Sequence, residues 1–345
     1  MVNKTTQNLP LDPTIIHSDR FLDALREGLH NWSVALFDPA TGGFRQNDTI
    51  GVNPMSSTDM IWIRFATNDQ HVGDPDPDAI RAYLQGIQEP DTGRIRHDQG
   101  PGGQGHCDAH AFWQTVRVLN IIGAQLLHPP RFLTPVLTPD GLARWFDSFD
   151  WRAGGNGNHH EVLGLVPVLA SLNDPAWTEV FFQKIVEQQN PENGAWPVGR
   201  TNISRTFAYT TLHLATGRIP PMPEKILDTL LELQNDEGVW ESIPTRFHTM
   251  DAIYVLTRLA PRIGYREDDA VAALAKANAM MRDMFIQHQD YYCGNPHSML
   301  AMTHTFGLLQ ETFPNDYPSE HPYRFGWDLP ELYHSAVITR DMREV

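Results

Sequence analysis

The sequence predicts an all-α protein, an (α/α)6 toroid of six helical hairpins, and three observations carry that prediction. Six segments begin polar and turn apolar at a nearly constant interval, amphipathic stretches alternate with them, and similar glycine-bearing turns join the two kinds. The six segments are "SSTDMIWIRFA" around Thr58, "HCDAHAFWQTVRVL" at His106, "NHHEVLGLVPVLA" at Asn158, "ISRTFAYTTLHLA" around Ser204, "RFHTMDAIYVLTRLA" around His248 and "NPHSMLAMTHTFGLL" around His297. Those six positions are separated by 48, 52, 46, 44 and 49 residues. One supersecondary unit stacked six times has this signature.

Between them lie "DRFLDALREGLHNW", "DAIRAYLQGIQ", "DGLARWFDSF", "TEVFFQKIVEQQ", "PEKILDTLLELQ" and "DDAVAALAKANAMMRDMFIQ", each apolar at three- and four-residue spacing and polar on one face. They read as outer helices. The polar-then-apolar segments read as inner helices held between neighbours, with Thr58, Asn158 and Ser204 as candidate helix caps. The joints "QQNPENGAW" and "LQNDEGVW" share Gln189, Gly194, Trp196 and Gln234, Gly238, Trp240 at similar offsets, and "IQEPDTGRI" repeats the pattern with Ile95 in place of the tryptophan. Asn, Asp and Pro favour turns, and glycine closes a helix in the left-handed conformation. An open solenoid of helix pairs is the alternative, but it does not explain why only one end of each inner helix is polar. The expected organisation is a single domain over residues 1–345, with 314–345 as a tail packing on the barrel and offering Tyr323, Arg324 or Trp327 to its pocket.

Composition narrows the function. A formal charge of −16 opposes broad binding to nucleic acid or to an anionic membrane. No stretch offers the roughly 18 to 20 apolar residues of a membrane span, and "MVNKTTQNLPLDPTIIHSDRF" has no apolar signal core, so a soluble, cytoplasmic protein is expected. Two cysteines, Cys107 and Cys293, exclude a disulfide framework and a four-cysteine zinc module. Sixteen histidines, many in short polar clusters, are the first functional signal.

In a closed ring the first turns of all inner helices converge on one mouth. They carry Asp59, Trp62 and Arg64; His106, Asp108, His110 and Trp113; Asn158, His159, His160 and Glu161; Asn202, Arg205 and Tyr209; Arg246, His248, Asp251 and Tyr254; Asn295, His297, Ser298 and His304. Polar groups beside a core are costly unless they bind something or one another. Trp62, Trp113 and Tyr254 taken singly read as core. "DPDPD" at residues 74–78 reads as a turn and helix cap. His106, Asp108 and His110, joined by His159 or His160, have spacing compatible with a divalent cation, although no cofactor is required.

The Gln-Gly-Trp joints with six inner helices resemble the α/α toroid superfamily: terpenoid cyclases, prenyltransferase β subunits, six-hairpin glycosidases and alginate-lyase-type polysaccharide lyases. The resemblance spans about residues 18 to 313. It speaks to architecture more than chemistry, because the fold hosts unrelated reactions. "GNGNHHE" followed by "SRTFAY" resembles the alginate-lyase-type pattern, which implies a lyase cleaving a uronate-containing saccharide by β-elimination. On that resemblance Asn158 and His159 bind or ionise the uronate, Arg205 holds its carboxylate and Tyr209 moves the proton, with His248 and Tyr254 as a second aromatic-histidine pair.

The residue set expected to be catalytic is therefore His159, Tyr209, Asp108, His248 and Asp251. The set expected to bind substrate is Asp59, His106, His110, Asn158, His160, Arg205, Arg246, Tyr254, Asn295 and His297. A glycoside hydrolase would instead use two carboxyl groups from Asp59, Asp108, Glu161 and Asp251. A terpenoid cyclase-like enzyme, or an isomerase or dehydratase on the same ring, is a third reading. A prenyltransferase-like zinc site fits less well, since Cys107 and Asp108 are adjacent where that pattern spaces them. A ring that only binds a ligand is the fourth, and titratable crowding argues against it.

Overall fold

Helix starts in this chain are written as a capping side chain followed by proline. In the computed structural model, which describes residues 11, 13–97, 104–149, 151, 157–199 and 201–344, five α-helices begin this way. Asn53 caps α2 (Pro54–Ala66), Asp76 caps α3 (Pro77–Gly86), Thr138 caps α5 (Pro139–Asp147), Asp174 caps α8 (Pro175–Val186) and Asn295 caps α14 (Pro296–Thr312). Each cap's side-chain oxygen accepts a backbone N–H of the first turn, and proline at the first helical position has no N–H to leave unpaired. Thr58 and Ser204 are therefore not caps: Thr58 lies inside α2, bonded to the Met55 carbonyl, and Asn202 caps α9 (Ile203–Ala215). "DPDPD" does act as a turn and cap, through Asp76.

The chain alternates outer and inner helices as the repeat predicts. The outer helices are α1 (Phe21–Leu36), α3, α5, α8, α10 (Pro223–Leu233) and α12 (Glu267–Gln287). The inner ones are α2, α4 (Gln104–Ile121), the pair α6 (Gly157–Leu163) and α7 (Val166–Leu172), α9, α11 (Phe247–Ile263) and α14, which follows the short α13 (Gln289–Cys293). Burial separates the classes: every residue from Ile203 to Leu214 of α9 is buried, whereas only Ile80 and Leu84 of α3 are. The third inner helix, expected to be continuous, is broken because Pro167 cannot donate to the Leu163 carbonyl, and the chain turns through Gly164 and Leu165 before resuming.

Contacts between inner helices run in a circuit. α2 packs on α4, α4 on α6, α6 on α9, α9 on α11, α11 on α14, and α14 returns to α2. The only sheet among the described residues is a pair of two-residue strands, β1 (Phe37–Asp38) and β2 (Gly43–Phe44), joining α1 to α2.

The three similar joints work alike. The carboxamide of Gln88 donates to the carbonyls of Gly93 and His128, that of Gln189 to Gly194 and Pro221, and that of Gln234 to Gly238 and Ala273. Each glutamine thus closes its own turn and ties it to the next hairpin. Gly194 has φ +72°, and a Cβ there would come within 2.9 Å of the Ile226 nitrogen on α10, so both conformation and space demand glycine. The indole N–H groups of Trp196 and Trp240 donate back to Ile185 and Leu230 on the preceding outer helices, a bond that Ile95 cannot make.

After α14 the chain crosses the C-terminal ends of the inner helices. The Tyr323 hydroxyl donates to the Leu22 carbonyl, the Arg324 N–H to Ala66, and Asn120 of α4 donates to Leu332 and His334. The Ser335 N–H reaches Ser171 at the end of α7, and Arg343 pairs with Asp174. Trp327 packs among the inner helices from this side, with its ring centroid 4.6 Å from Trp62, 5.4 Å from Trp113, 5.2 Å from Phe207 and 6.3 Å from His304. Tyr323 and Arg324 stay at this end: Tyr323 is buried against α1, and Arg324 is exposed over Phe65. Among the described residues no helix is long and apolar enough to cross a membrane.

Candidate functional site

The first turns of the inner helices meet through their polar side chains. His297, in the first turn of α14, places Nδ1 3.0 Å from Oδ2 of Asp59 on α2. Asn295 sets this up by capping α14 through the His297 N–H at 3.1 Å. The His297 ring lies 5.1 Å from that of His110 on α4 and 4.5 Å from Phe247 at the start of α11. His110 in turn lies 4.3 Å from His160 on α6, which lies 4.1 Å from its neighbour His159. Five candidates named from sequence, Asp59, His110, His159, His160 and His297, therefore form one chain of contacts across the ring end. Asp59 is wholly buried, and the His297 side chain keeps 25% of its surface exposed.

This arrangement fixes a tautomer. A carboxylate only accepts, so His297 carries its hydrogen on Nδ1 and keeps a lone pair on Nε2, the form a general base requires. Gln114, one helical turn below His110, places Nε2 3.0 Å from His110 Nε2 and orients that ring as well. His110 stacks on Trp113 with centroids 5.3 Å apart.

The other candidates make contacts of their own. Asp108 is half-buried and accepts the His97 N–H. Glu161 is half-buried, and burial raises its carboxyl above the usual range. Asp251 is buried against Ser204 of α9, and loss of solvent pushes its carboxyl well above the usual carboxylate range. Arg205 is buried and donates to the Trp151 carbonyl at 2.8 Å. Tyr209 packs between the rings of Trp151 and Trp196 on the side of α9 facing the outer layer, and burial raises its phenol. Arg205 and Tyr209 are thus neighbours, one helical turn apart on α9. The Tyr254 hydroxyl donates to Asp328 of the tail at 3.3 Å. Arg246 is exposed at the start of α11, and His248 is half-buried in its first turn. His106 and Asn158 lie in the first turns of α4 and α6, but their side chains, like that of Cys107, lie outside the described residues. Among the described residues no group of three or more His, Cys, Asp or Glu is arranged to hold a metal ion.

Two of the residues assigned to the mouth belong elsewhere. Arg64 is buried near the far end of α2, where its guanidinium donates to the Ser33 hydroxyl and the His71 carbonyl. Desolvation lowers its pKa to about 10. His304 lies two turns below His297, bonded through Nδ1 to the Leu300 carbonyl, and burial drives its pKa down to about 3, so it is a neutral core ring.

Below the histidines is an aromatic layer that sequence reasoning only partly found. Trp62, Trp113, Phe207 and Tyr254 come from four inner helices, and Trp327 occupies their centre. Arg117, seven residues after His110 and so on the same face of α4, is wholly buried among these rings. Its guanidinium carbon lies 3.1 Å from the Trp62 ring centroid, 4.4 Å from Trp113, 4.7 Å from Trp327 and 4.8 Å from Tyr333. The signal was an arginine inside the apolar run "FWQTVRVLNII", where an ordinary core helix carries none.

No protein-family model, no curated protein and no solved structure matches this chain.

Proposed function

We propose that the helical circuit is an (α/α)6 toroid and that its histidine-lined end is the active site of an enzyme acting on a carbohydrate, eliminating across a uronate by acid–base chemistry. The observation that carries this reading is the Asp59–His297 pair in ring contact with His110, which itself touches His160. β-Elimination needs a base for the proton on the carbon beside the carboxylate and an acid for the departing oxygen. His297 Nε2 takes that proton, the C–H electron pair becomes a C=C bond, and the C–O bond opposite breaks. His110 or His160 gives a proton to the leaving oxygen, and His159 stands beside them for the carboxylate. The base role moves from Tyr209 to His297 because Tyr209 is enclosed by two tryptophans.

Two alternatives are less well supported. A hydrolase needs two carboxyl groups that reach the scissile bond, and Asp59 and Asp251 are 0% and 1% exposed, which leaves Asp108 and Glu161. A terpenoid cyclase holds a carbocation within aromatic walls, and here Arg117 and Trp327 already fill that space.

Incubating the protein with uronate oligosaccharides and following ultraviolet absorbance of an unsaturated uronate tests the proposal. Absorbance should rise with wild type and be lost in His297→Ala and Asp59→Asn. New reducing ends without absorbance would move the assignment to a hydrolase, and turnover of an isoprenoid diphosphate alone would overturn it.

A further inference from the structure

The cage around Arg117 is rich in donors and poor in acceptors. Arg117 Nε, Nη1 and Nη2 are buried and make no hydrogen bond of good geometry with the protein. The indole nitrogens of Trp62, Trp113 and Trp327, three of the four rings around it, are likewise buried with no acceptor. Indole and guanidinium groups can only donate, so Arg117 and the three indoles cannot satisfy one another. The fourth ring, Tyr333, has its hydroxyl donating to the Trp327 carbonyl at 3.1 Å. It lies close enough to Arg117 to favour the charged guanidinium without making a well-formed hydrogen bond to it.

A buried cation ordinarily has a carboxylate partner, because desolvating an unpaired charge costs more than stacking on aromatic rings returns. The two nearby carboxylates whose charge reaches this cluster are committed elsewhere. Asp59 is bound to His297, and Asp328 is bound to Tyr254 and Arg258. Burial accordingly lowers the Arg117 pKa to about 9.

Space is available beside the cage. Trp113, Trp327 and Tyr333 also line a small void whose other walls include Phe207 and Thr211 of α9. It has room for about one water-sized group. Thr211 lines it, and its buried hydroxyl has no partner of good geometry.

We propose that Arg117 and the surrounding indoles form a buried binding site for one small monoanion, of halide or formate size, in the bore of the ring. Its charge completes Arg117, and its lone pairs accept from the indole N–H groups. The size of the void excludes sulfate and phosphate. Two sources carry this chemistry, a free halide and a small carboxylate, and the site is independent of the saccharide reading of the mouth.

The test uses wild-type protein exchanged into sodium gluconate, with chloride, bromide, formate or sulfate substituted at constant ionic strength, and reads Tm. A bound anion raises Tm by about 5 °C at a concentration about a hundred times its Kd. Stabilisation by chloride and bromide assigns the site to a halide, and stabilisation by formate alone assigns it to a carboxylate. In Arg117→Met the salt dependence should vanish. Should that variant fail to fold, an anomalous peak within hydrogen-bonding distance of Arg117 in crystals grown in bromide, or formate density at the same place, supplies the same evidence. Equal Tm in all the salts, a dependence that survives in Arg117→Met, or only water at that position overturns the proposal.

Discussion

Asp59 and His297 are 238 residues apart in the chain and 3.0 Å apart in space. They belong to the first and last inner helices, so the pair exists only where α14 packs on α2. In Asp59→Asn the carboxamide retains the shape but offers His297 a donor as readily as an acceptor, which loosens the tautomer. If His297 is the base, kcat falls by roughly 10²- to 10⁴-fold with little change in KM. A fall confined to KM would make Asp59 a binding residue instead.

Asp251 gives a pH signature with a defined sign. Its carboxyl is raised by burial, so the folded state holds the proton at pH values where the unfolded chain, with a pKa of about 3.9, has released it. Stability from this group is therefore present at low pH, declines as pH rises above the unfolded value, and levels off above the folded one. Asp251→Asn keeps the bonding to Ser204 but cannot ionise. Its Tm should fall less than that of wild type as pH rises through this window, and parallel profiles for the two proteins would refute the assignment.

The joints can be tested by a matched pair of glycines. Gly194 and Gly217 have φ of +72° and +74°, so alanine carries the same backbone strain at both. Only at Gly194 does the added Cβ meet another helix; nothing lies within 4 Å at Gly217. Gly194→Ala should be less stable than Gly217→Ala by about 1 to 3 kcal/mol in urea unfolding. Gln189→Ala leaves the carbonyls of Gly194 and Pro221 without their shared donor and should cost a similar amount.

Trp327 is the tail's plug. It is 7% exposed and touches rings from four inner helices. Trp327→Ala should lower stability by about 3 to 5 kcal/mol, measured by urea unfolding. A loss under 1 kcal/mol would mean that the ring holds its shape without the tail.

The helical character and the alternation of outer and inner helices were legible in sequence because helix periodicity recurs at each repeat and the Gln-Gly joint at three of them. The break in the third inner helix was missed, because the apolar residues on both sides of Pro167 continue the pattern of a single inner helix. Helix starts were misread at Thr58 and Ser204 because the Asn53–Pro54 and Asn202 signals lie a few residues upstream in less regular sequence. The orientation of Tyr209 was not legible for a physical reason. α9 is buried all round, so no polar face distinguishes the side toward the bore from the side toward the outer layer. Arg117 and Gln114 lay below the first turn, where the polar clusters had drawn attention. Trp327 belongs to no repeat, so no periodicity links it to the rings it touches.

The tail's crossing has a consequence for how the molecule is made. The ribosome delivers the chain from its N-terminus, and domains form as their contacts emerge. Leu22 of α1 accepts its bond from Tyr323, and Ala66 of α2 from Arg324, so the earliest repeat waits for some of the latest residues synthesised. Pairings this distant are slow to form because the intervening loop must close first. A nascent chain that lacks α14 therefore has an incomplete circuit of inner helices, and the period before residue 327 emerges is when the aromatic rings it covers are most exposed to chaperones and to misassembly.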